Sequence, residues 1–84
     1  MPYFVYILRT SANTLYIGQT NNLGKRLREH REKSSKSAKY IKYFYFFTLV
    51  FQEIYLTRTE AMRREIQLKR WTRAKKEVLI QGGT

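Results

Sequence analysis

The chain has no cysteine and few acidic residues, and both shortages limit what it can do. Without cysteine, disulfide bonds and thiolate metal sites are excluded. Six Asp and Glu stand against seventeen Lys and Arg, which gives a formal net charge of +11 over 84 residues. Such a charge repels itself in a folded domain, so we expect a polyanionic partner to use it. Nucleic acid is the first candidate, and an anionic membrane is the second.

Long apolar runs and export signals are also missing from the pattern. The longest apolar stretch, Tyr43 to Phe51, is far shorter than the ~20 residues that a membrane helix needs. The start, Met1-Pro2-Tyr3, has no basic segment followed by an apolar one, so we expect no signal peptide and no membrane partner. We therefore expect a cytoplasmic protein with a single domain over residues 1–84, since a chain of this length rarely holds two cores.

The order of residue patterns predicts an α+β fold, a small antiparallel three-stranded sheet flanked by helices in the order β-β-α-β-α-α. Aromatic and β-branched runs predict the strands, and capping residues mark the helix starts. The N-cap candidates are Thr20-Asn21-Asn22 for the first helix and Thr72 for the third, and Thr57 and Glu60 form a capping box for the second. The predicted elements are strands at residues 3–8 and 15–18, a helix at 23–32, a strand at 43–55, a helix after Thr57 to about Trp71, and a short helix after Thr72 that ends at Gly82-Gly83.

The second helix carries a carboxylate where apolar side chains are expected. At about 100° per residue, one broad arc holds Glu65 in its middle. The apolar members of this arc are Ala61, Met62, Ile66 and Leu68. A carboxylate that faces a core is costly unless it is paired or coordinates a metal. The helical pattern alone favours a salt bridge with an arginine at the core edge, or a side chain that reaches solvent.

The first helix places Arg26 and His30 one turn apart along the edge of its apolar stripe. A single histidine beside an apolar face is more often structural than functional. An arginine beside it, in a chain this basic, makes phosphate contact the alternative, because a guanidinium binds phosphate in a bidentate manner.

Two tyrosines and a glycine stand out in the predicted hairpin. Tyr6 and Tyr16 lie on consecutive strands, so their side chains can meet across the sheet. Two aromatic core residues are the ordinary interpretation, but a buried tyrosine hydroxyl needs a partner, and water or phosphate can supply it. Gly18 either allows a close approach of backbone or starts a turn.

Together these residues resemble the GIY-YIG nuclease superfamily. Tyr16-Ile17-Gly18 is a literal YIG, and Val5-Tyr6 stands in the place of the Ile-Tyr of GIY, with Phe4 where glycine would be. Leu23 to His30 is similar to the first-helix signature of the family, with its arginine and histidine. Met62 to Lys69 is similar to the later helix that carries the metal-binding glutamate. The chain looks most like the stand-alone branch of small bacterial proteins, which resembles the nuclease domain of Slx-type endonucleases.

The resemblance implies an endonuclease that hydrolyses phosphodiester bonds and leaves 5′-phosphate and 3′-hydroxyl ends. It implies that Glu65 holds one divalent ion, Mg²⁺ or Mn²⁺, a hard cation suited to carboxylate and phosphate oxygens. Arg26 would neutralise charge on the phosphoryl oxygens. Tyr6, Tyr16 and His30 would act on the attacking water, and the sequence leaves open which of them is the general base.

Further basic and aromatic residues are candidate contacts to nucleic acid. They are Lys36, Lys39, Tyr40 and Lys42 in the loop after the first helix. In the third helix, the sequence does not decide whether Lys75 or Lys76 touches substrate. We expect no attached recognition module, so the substrate is expected to be DNA recognised by structure or ends rather than by sequence. A partner protein would supply any further specificity. The alternative is a non-catalytic DNA- or RNA-binding module that keeps the fold without cutting.

Overall fold

The computed structural model describes residues 2–32 and 45–82. Its elements are β1 (Tyr3–Thr10), β2 (Leu15–Thr20), α1 (Leu23–Arg31), β3 (Phe47–Tyr55), α2 (Arg58–Arg70) and α3 (Arg73–Ile80). This order and the three-stranded sheet confirm the predicted α+β class. The predicted contacts Lys36, Lys39, Tyr40 and Lys42 lie outside the described residues. No helix in the described ranges has the length and apolar composition needed to cross a bilayer.

The sheet has the order β2-β1-β3, with β1 in the centre and antiparallel to both neighbours. Both strands of the hairpin are longer than predicted, because their hydrogen bonds continue to the turn, where the Thr10 and Thr14 hydroxyls lie 2.7 Å apart. Asn13 closes this turn with a positive φ of 63°. The third strand begins at Phe47, and Tyr45, inside the predicted strand, is exposed and outside the sheet.

The side chains of β1 alternate between two layers of helix. Val5 and Ile7 are fully buried against α2 and α3, in a cluster that includes Ala61 and Leu68. Tyr6 and Leu8 point to the opposite side, where α1 covers them; Leu27 lies in the same cluster. We call these the α2–α3 face and the α1 face of the sheet.

The predicted core arc of α2 is wrong in part. Ala61 and Leu68 are buried as expected, but Met62 and Ile66 are 40% and 50% exposed. The half-buried positions between the two buried residues belong to Arg64 and Glu65. The helix is therefore rotated so that two charged residues, not two apolar ones, complete the inward stripe.

A long polar side chain can cover apolar surface while its head group is paired, and Arg64 does so. Its guanidinium donates two hydrogen bonds to the Glu53 carboxylate of β3, at 2.9 and 3.1 Å, and lies 5.1 Å from the centre of the Trp71 ring. This bidentate pair provides a physical reason for the rotation of α2, since Arg64 can reach β3 only from the inward stripe.

The three helices begin where capping residues predict. Asn22, Thr57 and Thr72 each accept a hydrogen bond from a backbone N–H in the first turn of the following helix. In the capping box, the Thr57 hydroxyl also donates to the Glu60 carboxylate at 3.0 Å. At the other end of the chain, Gly82 follows α3 with a φ of +87°, which suits glycine at a helix terminus.

A cluster of charges attaches α3 to the hairpin. The Glu77 carboxylate accepts hydrogen bonds from Arg9 of β1, at 2.6 Å, and from Arg73, at 2.9 Å. Arg73 also donates to the Asn13 carbonyl at 2.6 Å. The bonds from Arg9 and then from Arg73 lower the pKa of Glu77 to about 2, so this contact is ionic throughout the neutral range.

Candidate active site

Tyr6 lies at the centre of the α1 face and is 1% exposed. Its hydroxyl is 3.2 Å from Nε2 of His30, and its ring centre is 6.4 Å from that of Tyr16. The register explains the contact between the tyrosines: Tyr6 pairs with Gly18 and Leu8 with Tyr16, so the two tyrosines are diagonal neighbours on one face. The predicted meeting of the two side chains is confirmed.

Gly18 makes room for the Tyr6 side chain. A Cβ at this position would lie 2.5 Å from the Tyr6 hydroxyl oxygen and 2.7 Å from Cζ, so any larger residue would displace the ring. Of the two interpretations that the sequence allows, close approach is the one observed, and the approaching group is a side chain rather than backbone. Gly18 does not start a turn, because β2 continues to Thr20.

His30, in the last turn of α1, is also 1% exposed. Its ring packs edge-on against Tyr16 and Phe47, with centroid distances of 5.8 and 6.0 Å. Burial and the nearby Arg26 charge lower its pKa to about 4, so the imidazole is neutral at neutral pH. A neutral imidazole has one donor and one acceptor nitrogen, which allows His30 to accept a proton.

Arg26 lies one turn before His30 and donates to the Glu29 carboxylate at 3.3 Å. Burial opposes its charge, but hydrogen bonding and charge interactions with Tyr6, and then the bond with Glu29, raise the pKa of Arg26 above its ordinary value. The guanidinium is therefore a permanent cation at the edge of the tyrosine pair.

Tyr6 is a neutral phenol in this environment. Burial and the neighbouring Tyr16 raise the pKa of Tyr6 to about 12, although the hydrogen bond and charge of Arg26 act in the opposite direction. A nearby cation favours the phenolate over the phenol. Arg26 does have that effect, but burial outweighs it.

Glu65 lies on α2, which packs across β1 and β2. Its side chain is 19% exposed, and its charge contributes to the raised pKa of Tyr6, which puts the carboxylate within electrostatic reach of the phenol. Its partner is Lys69, one turn later, at 2.9 Å. The expected core-edge arginine exists as Arg64, but it pairs with Glu53 instead.

The donor set fits one kind of metal. Within residues 2–32 and 45–82, no three His, Asp or Glu side chains come together as ligands. A fully protein-bound metal site is therefore not formed by these residues. Mg²⁺, however, usually keeps several waters and binds one or two carboxylates together with substrate phosphates. Glu65 suits that role, and its pairing with Lys69 shows that a cation can approach the carboxylate.

Lys69 and Lys76 are basic residues near the site. The sequence did not single out Lys69, and it did not separate Lys76 from Lys75. Both line a groove of about 350 Å³ beside β2, together with Leu15, Tyr16 and Ile17. The spacing of Glu65 and Lys69, four residues apart on a helix, is a signal that would have suggested their pairing. The position of Lys76 beside the same groove depends on how α3 packs, which no local sequence pattern indicates.

The fold and the cluster of Tyr6, Tyr16, Arg26 and His30, with Glu65 in electrostatic reach of Tyr6, are those expected of a nuclease family. Residues 2–77 match the family model described as the GIY-YIG catalytic domain, so the chain belongs to the GIY-YIG family. This confirms the resemblance drawn from the motifs.

Relatives within this family are small stand-alone proteins. The chain is 39% identical over 79 residues to the UPF0213 protein of Bacillus pumilus, covering 94% of this chain and 79% of the relative. The UPF0213 protein of Staphylococcus aureus shows the same identity over the same length, with 94% of both chains covered. The solution NMR structure of a UPF0213 protein from Bacillus halodurans superposes with a TM-score of 0.62 at 34% identity, covering 96% of this chain and 84% of that one.

Proposed function

We propose that the protein is a divalent-metal-dependent endonuclease that cuts DNA recognised by its structure or ends. The observation that carries this proposal is the convergence of Tyr6, Tyr16, Arg26 and His30 on one face of the sheet, with the Glu65 carboxylate in electrostatic reach. Membership in a nuclease family supports the reaction type.

Arg26 has the charge and position to bind the scissile phosphate. It remains a cation although it is partly buried, and a guanidinium in a site of low dielectric stabilises negative charge more strongly than one in water. One of its partners, Glu29, lies at 3.3 Å, a long contact that a phosphate oxygen can replace.

Tyr6 and His30 form the proton path in this proposal. The attacking water gives a proton to the Tyr6 oxygen, while the Tyr6 hydroxyl gives its own proton to Nε2 of His30, 3.2 Å away. A concerted relay avoids a free phenolate, which burial disfavours. It requires the tautomer in which Nε2 is the acceptor.

Substrate binding would strengthen His30 as the final acceptor. The charge of Arg26 is the second cause, after burial, of the low pKa of His30. A phosphate bound to Arg26 neutralises that charge, so the pKa of His30 rises when the substrate is in place.

Glu65 would hold the divalent ion, which when bound polarises the scissile phosphate and stabilises the leaving oxygen. The net charge of +11 favours a polyanion of any sequence, which supports recognition of shape or ends. A partner protein would supply any further specificity.

The test is cleavage of a labelled panel with Mg²⁺ or Mn²⁺: single strand, duplex, flap, overhang, branched junction and a matched RNA. Glu65→Gln is expected to lower cleavage by about 100-fold or more, the size of loss seen when a group that stabilises transition-state charge is removed. Glu60→Gln is the matched control, because it removes the same charge from the same helix and glutamine preserves a capping box.

The expected products have 5′-phosphate ends and disappear with EDTA and in Glu65→Gln, while Glu60→Gln cuts like the unaltered protein. Tight binding without cleavage under every metal condition would overturn the proposal. That result would favour the non-catalytic binding module, which predicts binding unaffected by Glu65→Gln.

A further inference from the structure

The groove beside β2 has an apolar and aromatic side and a basic side. Leu15, Tyr16 and Ile17 supply apolar and aromatic surface from the edge strand of the sheet. Lys69 of α2 and Lys76 of α3 supply two ammonium groups from the other side. An edge strand with aromatic surface opposite two cations combines the features that bind single-stranded nucleic acid, namely a stacking platform and a charged track for the backbone.

The groove is continuous with the candidate active site through two of its residues. Tyr16 lies in the groove and also contacts Tyr6 and His30 in the site. Lys69 lines the groove and also pairs with Glu65 at 2.9 Å. If Arg26 and an ion on Glu65 held the scissile phosphate, a neighbouring nucleotide of that strand would lie beside this groove.

Lys76 is the member of the groove that has no other evident task. The ion pairs within the described part of the chain give it no carboxylate partner. Its neighbour Lys75 lies 4.2 Å from the centre of the Trp71 ring, where a cation stabilises the packing of α3. The two lysines that the sequence could not separate thus differ: Lys75 packs on the protein, and Lys76 faces the groove.

We propose that this groove binds the unpaired strand next to the scissile phosphate, with a backbone phosphate on Lys69 and Lys76 and a base against Tyr16. Lys69 becomes available for that phosphate when a cation replaces it at Glu65. This inference depends on the proposed function, because only that function makes the bound strand a substrate. It narrows the substrate class to DNA with a single-stranded segment, such as a flap or an overhang, because a paired base cannot turn its face to the Tyr16 wall.

The experiment measures binding in EDTA on a Glu65→Gln background, which is not expected to cleave and which removes the carboxylate that pairs with Lys69. A short fluorescein-labelled single strand and a duplex of the same length are titrated at several salt concentrations with the background protein and with Lys76→Gln and Arg70→Gln added to it. Arg70 is the matched control, because it is an exposed cation of α2 that does not line the groove. Both variants lose one positive charge, so long-range attraction is reduced equally.

For the single strand, Lys76→Gln is expected to reduce the slope of log affinity against log salt by about 0.7, the value for one lost phosphate contact. At ~0.1 M salt this slope corresponds to about fivefold weaker binding. Lys76→Arg is expected to restore the slope, which separates loss of charge from loss of folding. The inference is overturned if Lys76→Gln and Arg70→Gln weaken single-strand binding equally, or if the duplex loses as much as the single strand.

These outcomes are distinguishable from those of the nuclease test. If no substrate is cut under any metal condition but Lys76→Gln still weakens single-strand binding, the groove stands and the endonuclease proposal fails. If the protein cuts DNA and Lys76→Gln binds like Arg70→Gln, the endonuclease proposal stands and the groove fails.

Discussion

Neighbouring residues of β1 belong to two surfaces with different tasks. Val5 and Ile7 point to the α2–α3 face and pack in an apolar cluster, while Tyr6 between them points to the α1 face and contacts His30 and Tyr16. The alternation of a strand places these opposite environments one residue apart. In a small domain, one central strand can therefore supply packing residues to one face and a reactive side chain to the other, while the Glu65 carboxylate comes from a helix of the packing side.

The α1 face is the more costly of the two to bury. Burial shifts the pKa of Tyr6 up to about 12 and that of His30 down to about 4, so each group resists its charged form. Every buried side-chain polar atom among the described residues nevertheless has a hydrogen-bond partner. Because the two faces differ in this way, substitutions on the two sides of β1 should affect different properties, stability on one side and cleavage on the other.

The largest difference between the two faces is expected when Tyr6→Phe is compared with Ile7→Val. Removing the Tyr6 hydroxyl keeps the ring but breaks the proton path, so we expect cleavage to fall by about 100-fold or more. Stability should change by only about 0.5–1.5 kcal/mol, the usual worth of one hydrogen bond. Ile7→Val should cost about 0.5–1.5 kcal/mol through lost packing and leave cleavage by the folded protein nearly unchanged.

Urea unfolding and single-turnover cleavage, measured on both variants, check this pair. The comparison of faces breaks down if Ile7→Val reduces cleavage as much as Tyr6→Phe does. Equal retention of activity in both variants would instead remove Tyr6 from the proton path and leave Tyr16 and His30 as the candidates.

A smaller effect, on both properties together, is expected from Gly18→Ala. The added methyl overlaps the Tyr6 ring, so the ring must move, and overpacking of this kind costs about 1–3 kcal/mol. We expect lower thermal stability together with reduced cleavage, because the Tyr6 hydroxyl leaves its position beside His30.

Gly24→Ala is the matched control for this substitution. Gly24 lies in α1, and the nearest atom to an added Cβ is Asn22 Oδ1 at 3.9 Å, so there is space. Alanine in place of glycine in a helix stabilises by about 0.4–1 kcal/mol. Opposite signs for the two Gly→Ala changes in thermal melting are the expected result, and equal destabilisation would contradict the role given to Gly18.

The sequence predicts the α1 face better than the α2–α3 face. Tyr6 meets Tyr16, and Arg26 lies one turn from His30, as their spacing indicates, because strand alternation and the helical turn are local rules. That the two pairs meet each other followed only from the family resemblance. The roles of these residues in catalysis stay predictions. The order of elements, the three caps and the sheet are confirmed for the same local reason.

The orientation of α2 could not be predicted, because it depends on a long-range pair. Counting apolar residues favours Met62 and Ile66 as core, but the bond between Arg64 and Glu53 of β3 rotates them outward. The two partners lie eleven residues apart, and no pattern in the sequence indicates that they pair. The groove formed by β2, α2 and α3 is unpredictable for the same reason, since it exists only after the helices have packed.

The smallest expected effect is a difference in how two regions respond to acid, since each region loses stability in its own pH window. The folded pKa of His30 is about 4, below its ordinary value of 6.5, so the unfolded chain binds more protons between these values. Stability should fall as the pH drops from 6.5 to about 4 and then level off with respect to this residue. The folded pKa of Glu77 is about 2, below its ordinary 4.5, so its contribution is present above 4.5 and is lost as the pH falls towards 2.

Urea unfolding at closely spaced pH values between 7 and 2 measures both windows, with His30→Gln and Glu77→Gln as the matched variants. His30→Gln should flatten the upper window, and Glu77→Gln the lower one, whatever each substitution does to stability at neutral pH. The order matters for the two faces: the buried histidine of the α1 face should respond to acid before the ion pairs that attach α3 to the hairpin. If the loss of stability between pH 6.5 and about 4 is the same in His30→Gln, the low pKa of this histidine does not make the α1 face costly to bury. The two faces would then not differ in their electrostatics as described.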